Sequence, residues 1–332
     1  MRCLRAALLL VSVLAPALAG FSSSANAEAC ANPKALGTSR TITVETSAFP
    51  RIGTMQYKRT LPLEDHEVVI TFDDGPLAPY TNRVLEALAT ECVKVTYFLV
   101  GTMARANPDL VRRIYNAGHV IGTHSHRHPF NMDQMERARI VGEIDGGIAA
   151  VTAALGDERA LAPFFRVPGL ARSLQIENYA ASQSLSVWSA DEVADDWHRG
   201  ITSEQIVQRA MSRIEAKGHR GVLLLHDIHP ATARALPMLL KRLKAGGYRI
   251  VQAVPAGDRP AAVPERGPVQ VAAAEKQGWP RVIPPTMGAA GKVPSTAKPA
   301  VARKDAAFRL KLASRKSATV VATSNVSTLF NR

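Results

Sequence analysis

The chain has 332 residues, 46% of them hydrophobic, and a formal net charge of +13. That length buries a core without staples, and that composition excludes collagen-like, low-complexity and multi-span membrane proteins. The charge resembles a nucleic-acid signature only until it is divided. Residues 256–332 hold 13 Lys and Arg against 4 Asp and Glu, the first 27 residues hold Arg2 and Arg5, and +2 is left for residues 28–255, so no nucleic-acid partner is expected of that nearly neutral middle.

Arg2 and Arg5 precede the apolar run Ala6 to Leu14, and the small-residue patterns Ala17-Leu18-Ala19 and Ala25-Asn26-Ala27 follow. Residues 1–27 therefore read as a secretory signal peptide cleaved after Ala27, with cleavage after Ala19 or an uncleaved anchor as alternatives. The expected location is secreted or periplasmic, with no transmembrane span after signal removal. Cys3 leaves with the signal. Cys30 and Cys92 remain, either as a disulfide tying the N-terminal segment to the domain or as two unpaired thiols.

Residues 28–64 form a lead-in with short strands such as Thr41-Ile42-Thr43-Val44. Glu67-Val68-Val69-Ile70 is a short apolar strand running into Thr71-Phe72-Asp73-Asp74-Gly75-Pro76, two carboxylates before a structure-breaking pair. Taken alone, Asp-Asp-Gly is turn chemistry leading into a helix near Thr81. A strand over Val93 to Val100 follows, then a helix opened by Asn107-Pro108 and closed by Gly118. His119 to Gly122 is the next strand, and Ile140, Ile144, Ile148 and Val151 mark one long helix over Met132 to Ala154. Strands at Phe164 to Val167 and Leu185 to Trp188 enclose a helix over Ser173 to Ala181. A helix opened by Ser203 is closed by Gly218, and Gly221 to His226 is a continuous apolar strand of the kind parallel sheets bury on both faces. A last helix reaches Gly246-Gly247 before the strand Tyr248 to Val251. About seven β-then-α units predict a parallel sheet with helices outside, as a barrel or a doubly wound sheet. Residues 254–332 lose periodicity and read as a basic, Pro/Ala/Lys-rich disordered tail. An amphipathic stretch at Ala306 to Lys316 reads as attachment to an anionic cell envelope, or as a solvated tail with no partner.

Chemistry gathers at strand ends. Gly122-Thr123-His124-Ser125-His126-Arg127-His128 carries three histidines in five residues, and a helical turn would put His124 and His128 on one side. With a carboxylate from Asp73 or Asp74 they would make a His₂-carboxylate site for a divalent ion. His126 stands off that spacing, and His229 before Pro230 reads as a turn residue.

Thr71-Phe72-Asp73-Asp74-Gly75-Pro76 followed by His124-Ser125-x-x-His128 resembles the first two motifs of the NodB-type polysaccharide deacetylases, the fourth carbohydrate esterase family. Phe165-Arg166-Val167-Pro168-Gly169 resembles the third motif, Asp196-Trp197 the fourth, and Leu224-Leu225-His226-Asp227 the fifth. The resemblance covers residues 65–253. It implies a distorted (β/α) barrel and metal-dependent hydrolysis of N-acetyl groups on an N-acetylglucosamine-containing glycan, either chitooligosaccharide or peptidoglycan. By position it implies Asp74, His124 and His128 as ligands of a divalent ion, zinc or alternatively cobalt or manganese. Asp73 becomes the general base, His226 the general acid, and Arg166 the holder of Asp73 through a paired hydrogen bond. Gly169 matches the oxyanion donor, while Trp197 and Leu224 are expected to line the sugar site.

Two departures stand out. Val167-Pro168 replaces the usual Pro-Pro, and the chain between Trp188 and Asp196 is about two residues longer than the common pattern. Asp191, Asp195 and Asp196 thus compete to tune His226, and Asp196 is chosen because Trp197 follows it. An O-acetyl polysaccharide esterase and a non-catalytic envelope glycan-binding protein are the competing functions.

Overall fold

The computed structural model describes Cys30 and residues 32–264. The expected signal peptide and the tail beyond residue 264, including Ala306 to Lys316, lie outside the described residues. In chain order, β1 (Thr38–Val44) and β2 (Arg51–Ile52) precede β3 (Glu67–Asp73), α1 (Tyr80–Thr90), β4 (Thr96–Leu99), α2 (Gly101–Ala106) and α3 (Pro108–Asn116). Then come β5 (Val120–Thr123), α4 (Arg137–Leu155), β6 (Phe164–Arg166), α5 (Leu174–Ser182), β7 (Ser186–Trp188) and β8 (Glu192–Val193). The order closes with α6 (Ser203–Ala216), β9 (Gly221–His226), α7 (Pro230–Ala245) and β10 (Arg249–Pro255). Among the described residues no helix is long and apolar enough to cross a membrane.

Every strand pairing is parallel, and β3 is central. One edge of β3 pairs with β9 from Val68 to Asp73, while the other is shared between β10 at Glu67–Val68 and β4 at Thr71–Asp73. From β4 the order continues through β5, β6 and β7 to β2. The single segment 186–193 carries both β7, paired with β6, and β8, paired with β9. The expected distorted barrel is therefore a parallel sheet whose ends are bridged by one extended segment. Its ladder is interrupted between β7 and β8, where Ser189 N–H donates to Ile52 O (2.7 Å) and Ala190 O accepts from Met55 N–H (2.9 Å).

Side chains alternate across these strands. Val69, Phe98, Val120, Phe164, Trp188 and Val222 form one buried cluster on the inner face. Ile70, Phe72, Tyr97, Ile121, Leu223 and Leu225 pack outward in a second cluster that includes helix residues such as Leu88 and Leu236. Two-residue steps along the inner face run Val69-Thr71-Asp73, Phe164-Arg166 and Val222-Leu224-His226. The same step carries Val120-Gly122 just past the end of β5 to His124. The candidate residues thus occupy the last inward positions of neighbouring strands.

Several expectations change in detail. The helix predicted over Met132 to Ala154 is a single 3₁₀ turn, Met132–Gln134, and then α4, because Glu136 is extended at φ −63° and ψ 149°. Asn107 does not cap α3 through its side chain; it donates to Pro76 O (3.2 Å) instead. The last strand runs on to Pro255, and the expected tail boundary at 254 falls short of the folded unit. Residues 256–263 strap onto it: Tyr115 Oη donates to Pro260 O (2.5 Å), Asn116 exchanges two hydrogen bonds with Val263, and Val263 is buried. The open choice for the cysteines resolves to a Cys30–Cys92 disulfide with a Cα separation of 5.9 Å, an ordinary bridging distance.

Candidate active site

Consecutive strand residues point to opposite faces, so Asp73 and Asp74 would diverge if β3 simply continued. Asp74 instead takes φ +76°, a left-handed conformation that aspartate tolerates better than most residues. The turn is tight. A side chain at Gly75 would run into the Asp227 carboxylate, which accepts a hydrogen bond from Thr81 Oγ1.

The His124–His128 segment is not the helical turn expected of it. Ser125 and His128 both have left-handed φ, +63° and +59°, and these two kinks bring the imidazoles edge to face at 4.8 Å. His124 Nδ1 lies 2.7 Å from Arg166 O. A carbonyl only accepts, so Nδ1 carries the proton and the Nε2 lone pair is left facing the carboxylates. Burial pushes His124 down to about 4, so it is neutral at ordinary pH.

Asp74, His124 and His128 each offer one ligand atom within 4.8 Å of the others. Asp74 Oδ1 is buried and has no hydrogen-bond partner among the described residues, although His128 Nε2 stands 3.1 Å and His124 Nε2 3.5 Å away. Burial raises the Asp74 carboxyl, but the His128, His124 and His226 imidazoles outweigh it and hold Asp74 well below the usual carboxylate range. An ionised oxygen crowded by two imidazole nitrogens, one of them a fixed lone pair, fits a divalent cation.

Asp73 is held differently. Its Oδ1 accepts from Arg166 Nη1 at 2.6 Å, and its Oδ2 lies 3.7 Å from His124 Nε2. The expected paired bond from Arg166 is not formed. Nη1 also donates to Thr71 Oγ1 (2.8 Å), Nη2 donates to Ser189 O (2.9 Å), and the guanidinium lies 4.1 Å over the Phe98 ring. Arg166 is fully buried, so these contacts fix Asp73 Oδ1 and leave Oδ2 toward the site.

His226 ends β9, directly beside Asp73 on β3. Its Nδ1–H donates to Asp196 Oδ1 (2.8 Å) and its backbone N–H to Asp196 Oδ2 (2.7 Å); Thr232 Oγ1 donates to the same Oδ2 (2.6 Å). Burial lowers the His226 pKa, but the charge and hydrogen bond of Asp196, with Asp74 and Asp73, raise it to about 9. Of the three competing aspartates the structure brings only Asp196 to His226. Asp191 accepts from Thr54, Thr60 and Val222, and Asp195 pairs with Arg209 and Arg213. The half-buried Trp197 ring stands edge-on to His226 at 5.4 Å.

The remaining expected residues lie at the margin. Leu224 shares the inner face of β9 with His226 and is 3% exposed, so it forms floor rather than wall. Gly169 (φ +57°) lies against the ring of Phe130, which in turn packs edge-on to His128 at 4.7 Å. Phe130 is 75% exposed and was not singled out from sequence; nothing in Pro129-Phe130-Asn131 marks it. Thr71 was also missed, although its two-residue step from Asp73 places it on the same face. Thr232 carries no local signal, since only the packing of α7 brings it to Asp196.

The family pattern named Polysaccharide deacetylase matches residues 61–188. A peptidoglycan-N-acetylglucosamine deacetylase of Bacillus cereus is 33% identical over 186 residues, covering 54% of this chain and 66% of that protein. The match thus spans just under two thirds of that relative. A chitooligosaccharide deacetylase of Bradyrhizobium sp. is 30% identical over 200 residues, covering 55% of this chain and 87% of the relative. Among solved structures, a peptidoglycan deacetylase of Bdellovibrio bacteriovorus superposes with a TM-score of 0.58 at 31% identity, covering 66% of this chain and 59% of that one. Fold, site and relatives agree: the chain belongs to the polysaccharide deacetylase family.

Proposed function

We infer that the protein removes acetyl from N-acetylglucosamine units of a glycan, peptidoglycan or chitooligosaccharide, by hydrolysing the acetamide. The observation that carries this reading is the division of two proton jobs between strands that neighbour each other. Asp73, clamped by Arg166 on one oxygen, keeps Oδ2 to take a proton from attacking water. His226, raised to about 9 by Asp196, still holds a proton to give to the leaving amine. That gift matters more for an amide than for an ester, because an amine anion is much the poorer leaving group. Amide hydrolysis is therefore favoured over the esterase reading.

Asp74, His124 and His128 would hold the divalent ion, with zinc favoured by the two imidazoles and one carboxylate. When bound, such an ion lowers the pKa of a coordinated water to about 7 and polarises the carbonyl. Trp197 offers an apolar face to a sugar ring beside the acid, and the Gly169 turn is the nearest match to an oxyanion donor. The signal-like N-terminus and the Cys30–Cys92 disulfide support action in an exported compartment. Contact of the basic tail with an anionic envelope is part of the same proposal.

Acetate release from chitooligosaccharide and from peptidoglycan by the metal-loaded protein tests this. Activity should be lost on chelation and return with a divalent ion. Asp73→Asn should keep the ion and lose roughly 10²–10⁴ in kcat; a near-normal rate would reject Asp73 as base. Glycan binding without turnover by the metal-loaded protein would favour the non-catalytic alternative.

A further inference from the structure

The two histidines of the cation site are joined by Ser125, His126 and Arg127, and the backbone of this loop is held from two sides. Gly101 and Thr102, at the start of α2, donate their N–H groups to Ser125 O and His126 O, each at 2.9 Å. His128 N–H donates to Ser125 Oγ at 2.9 Å. The N–H groups of His126 and Arg127 converge on one atom, Glu143 Oε2 on α4, at 3.1 and 2.8 Å. This helix approaches closely because Gly147 faces the loop: a Cβ there would sit 2.8 Å from Ser125 C and O.

We propose that Glu143 is a positioning residue for the cation site, its carboxylate fixing the loop so that His124 and His128 both aim Nε2 at Asp74. The loop holds Ser125 and His128 at left-handed φ, values that residues other than glycine keep only where the surroundings impose them. Glu143 is the only charged group bonded to the loop backbone among the described residues, and it serves two successive peptide groups. A carboxylate accepting two N–H groups is stronger than a neutral acceptor in that place. The assignment rests on the metal site of the proposed function, not on its substrate.

The test is the dissociation constant for zinc, read by competition with a chromophoric chelator on the full chain, beside the melting temperature of the metal-free protein. Glu143→Ala should weaken zinc about 10–100-fold, in the range seen when groups supporting metal ligands are removed. Glu143→Gln, which keeps an acceptor and loses the charge, should fall between that variant and wild type. Asp145→Ala is the control on the same helix: among the described residues its carboxylate accepts only from Tyr179 Oη, at 2.7 Å, and zinc affinity should not move. A Glu143→Ala protein with wild-type zinc affinity and a lowered melting temperature would overturn the proposal, leaving Glu143 as a brace for α4. If Glu143→Ala does not fold, wild-type affinity in Glu143→Gln overturns it instead. Wild-type protein that binds zinc but releases no acetate would reject the proposed function and leave this result standing. Wild-type protein that binds no zinc would overturn both the metal site and the role of Glu143.

Discussion

The two aspartates at the turn out of β3 are the same residue type, but Asp74 leaves the strand left-handed and the two meet different neighbours. Asp73 meets a guanidinium, whereas Asp74 meets two imidazoles. The same contrast governs the histidines: burial holds His124 neutral, and Asp196 holds His226 charged. His226 is raised, so it gives its proton up only as pH climbs past its shifted value, and an activity that needs it protonated fails on the alkaline side. The value of about 9 applies before a cation binds, and the added positive charge will lower it. Asp196→Asn keeps an acceptor for Nδ1–H but removes the charge. The alkaline limb of kcat/KM should then move to lower pH by roughly 1–3 pH units, read from a pH–rate profile. An unmoved limb would mean another group sets it. Residue identities at this site were legible because they sit in dense local runs, Asp73-Asp74 and His124 to His128. The three-way distribution of Arg166 was not, because Thr71 on β3 and Ser189 in the break between β7 and β8 are both remote from it in sequence.

At the scale of elements, strands were easier to read than short connectors. β3 and β9 are continuous apolar runs, while β2 and β8 have two residues each and α2 has six, too few to show a period. The split of the helix expected from Met132 was hidden because Met132 and Ile140 are both buried on the same side of the sheet. The strap after β10 was hidden for a different reason. Its anchors are backbone atoms of Pro260 and Val263 meeting Tyr115 and Asn116, and Pro- and Ala-rich composition reads as linker. A chain ending at Pro255 should therefore be less stable than one ending at Pro264. The expected loss is about 1–3 kcal/mol, Val263 burial and its neighbouring hydrogen bonds set against the ordering of the strap. Comparing the two melting curves checks this, and coincident curves would remove the strap from the folded unit.

At the scale of the whole molecule, the disulfide joins residues 62 apart in sequence and ties the chain ahead of β1 to the end of α1. Loop-closure entropy for such a span gives an upper value of about 4 kcal/mol, and native bridges typically contribute 2–4. Reduction should lower the melting temperature by roughly 10 °C; no change would mean that β1 pairing alone secures the N-terminal segment. The pairing of the sheet has a separate consequence. Since β7 and β8 belong to one run of chain, the stretch between them works as a measured tether: its length sets where Asp196 arrives relative to the end of β9. Residues added among surface connections only lengthen a loop, but residues added here would slide the Asp196 carboxylate out of register with His226. In this chain the register holds: Asp196 accepts from the backbone N–H and from the ring Nδ1–H of His226. A change of length in this stretch would therefore alter how His226 is held, without touching any of the residues proposed for the chemistry.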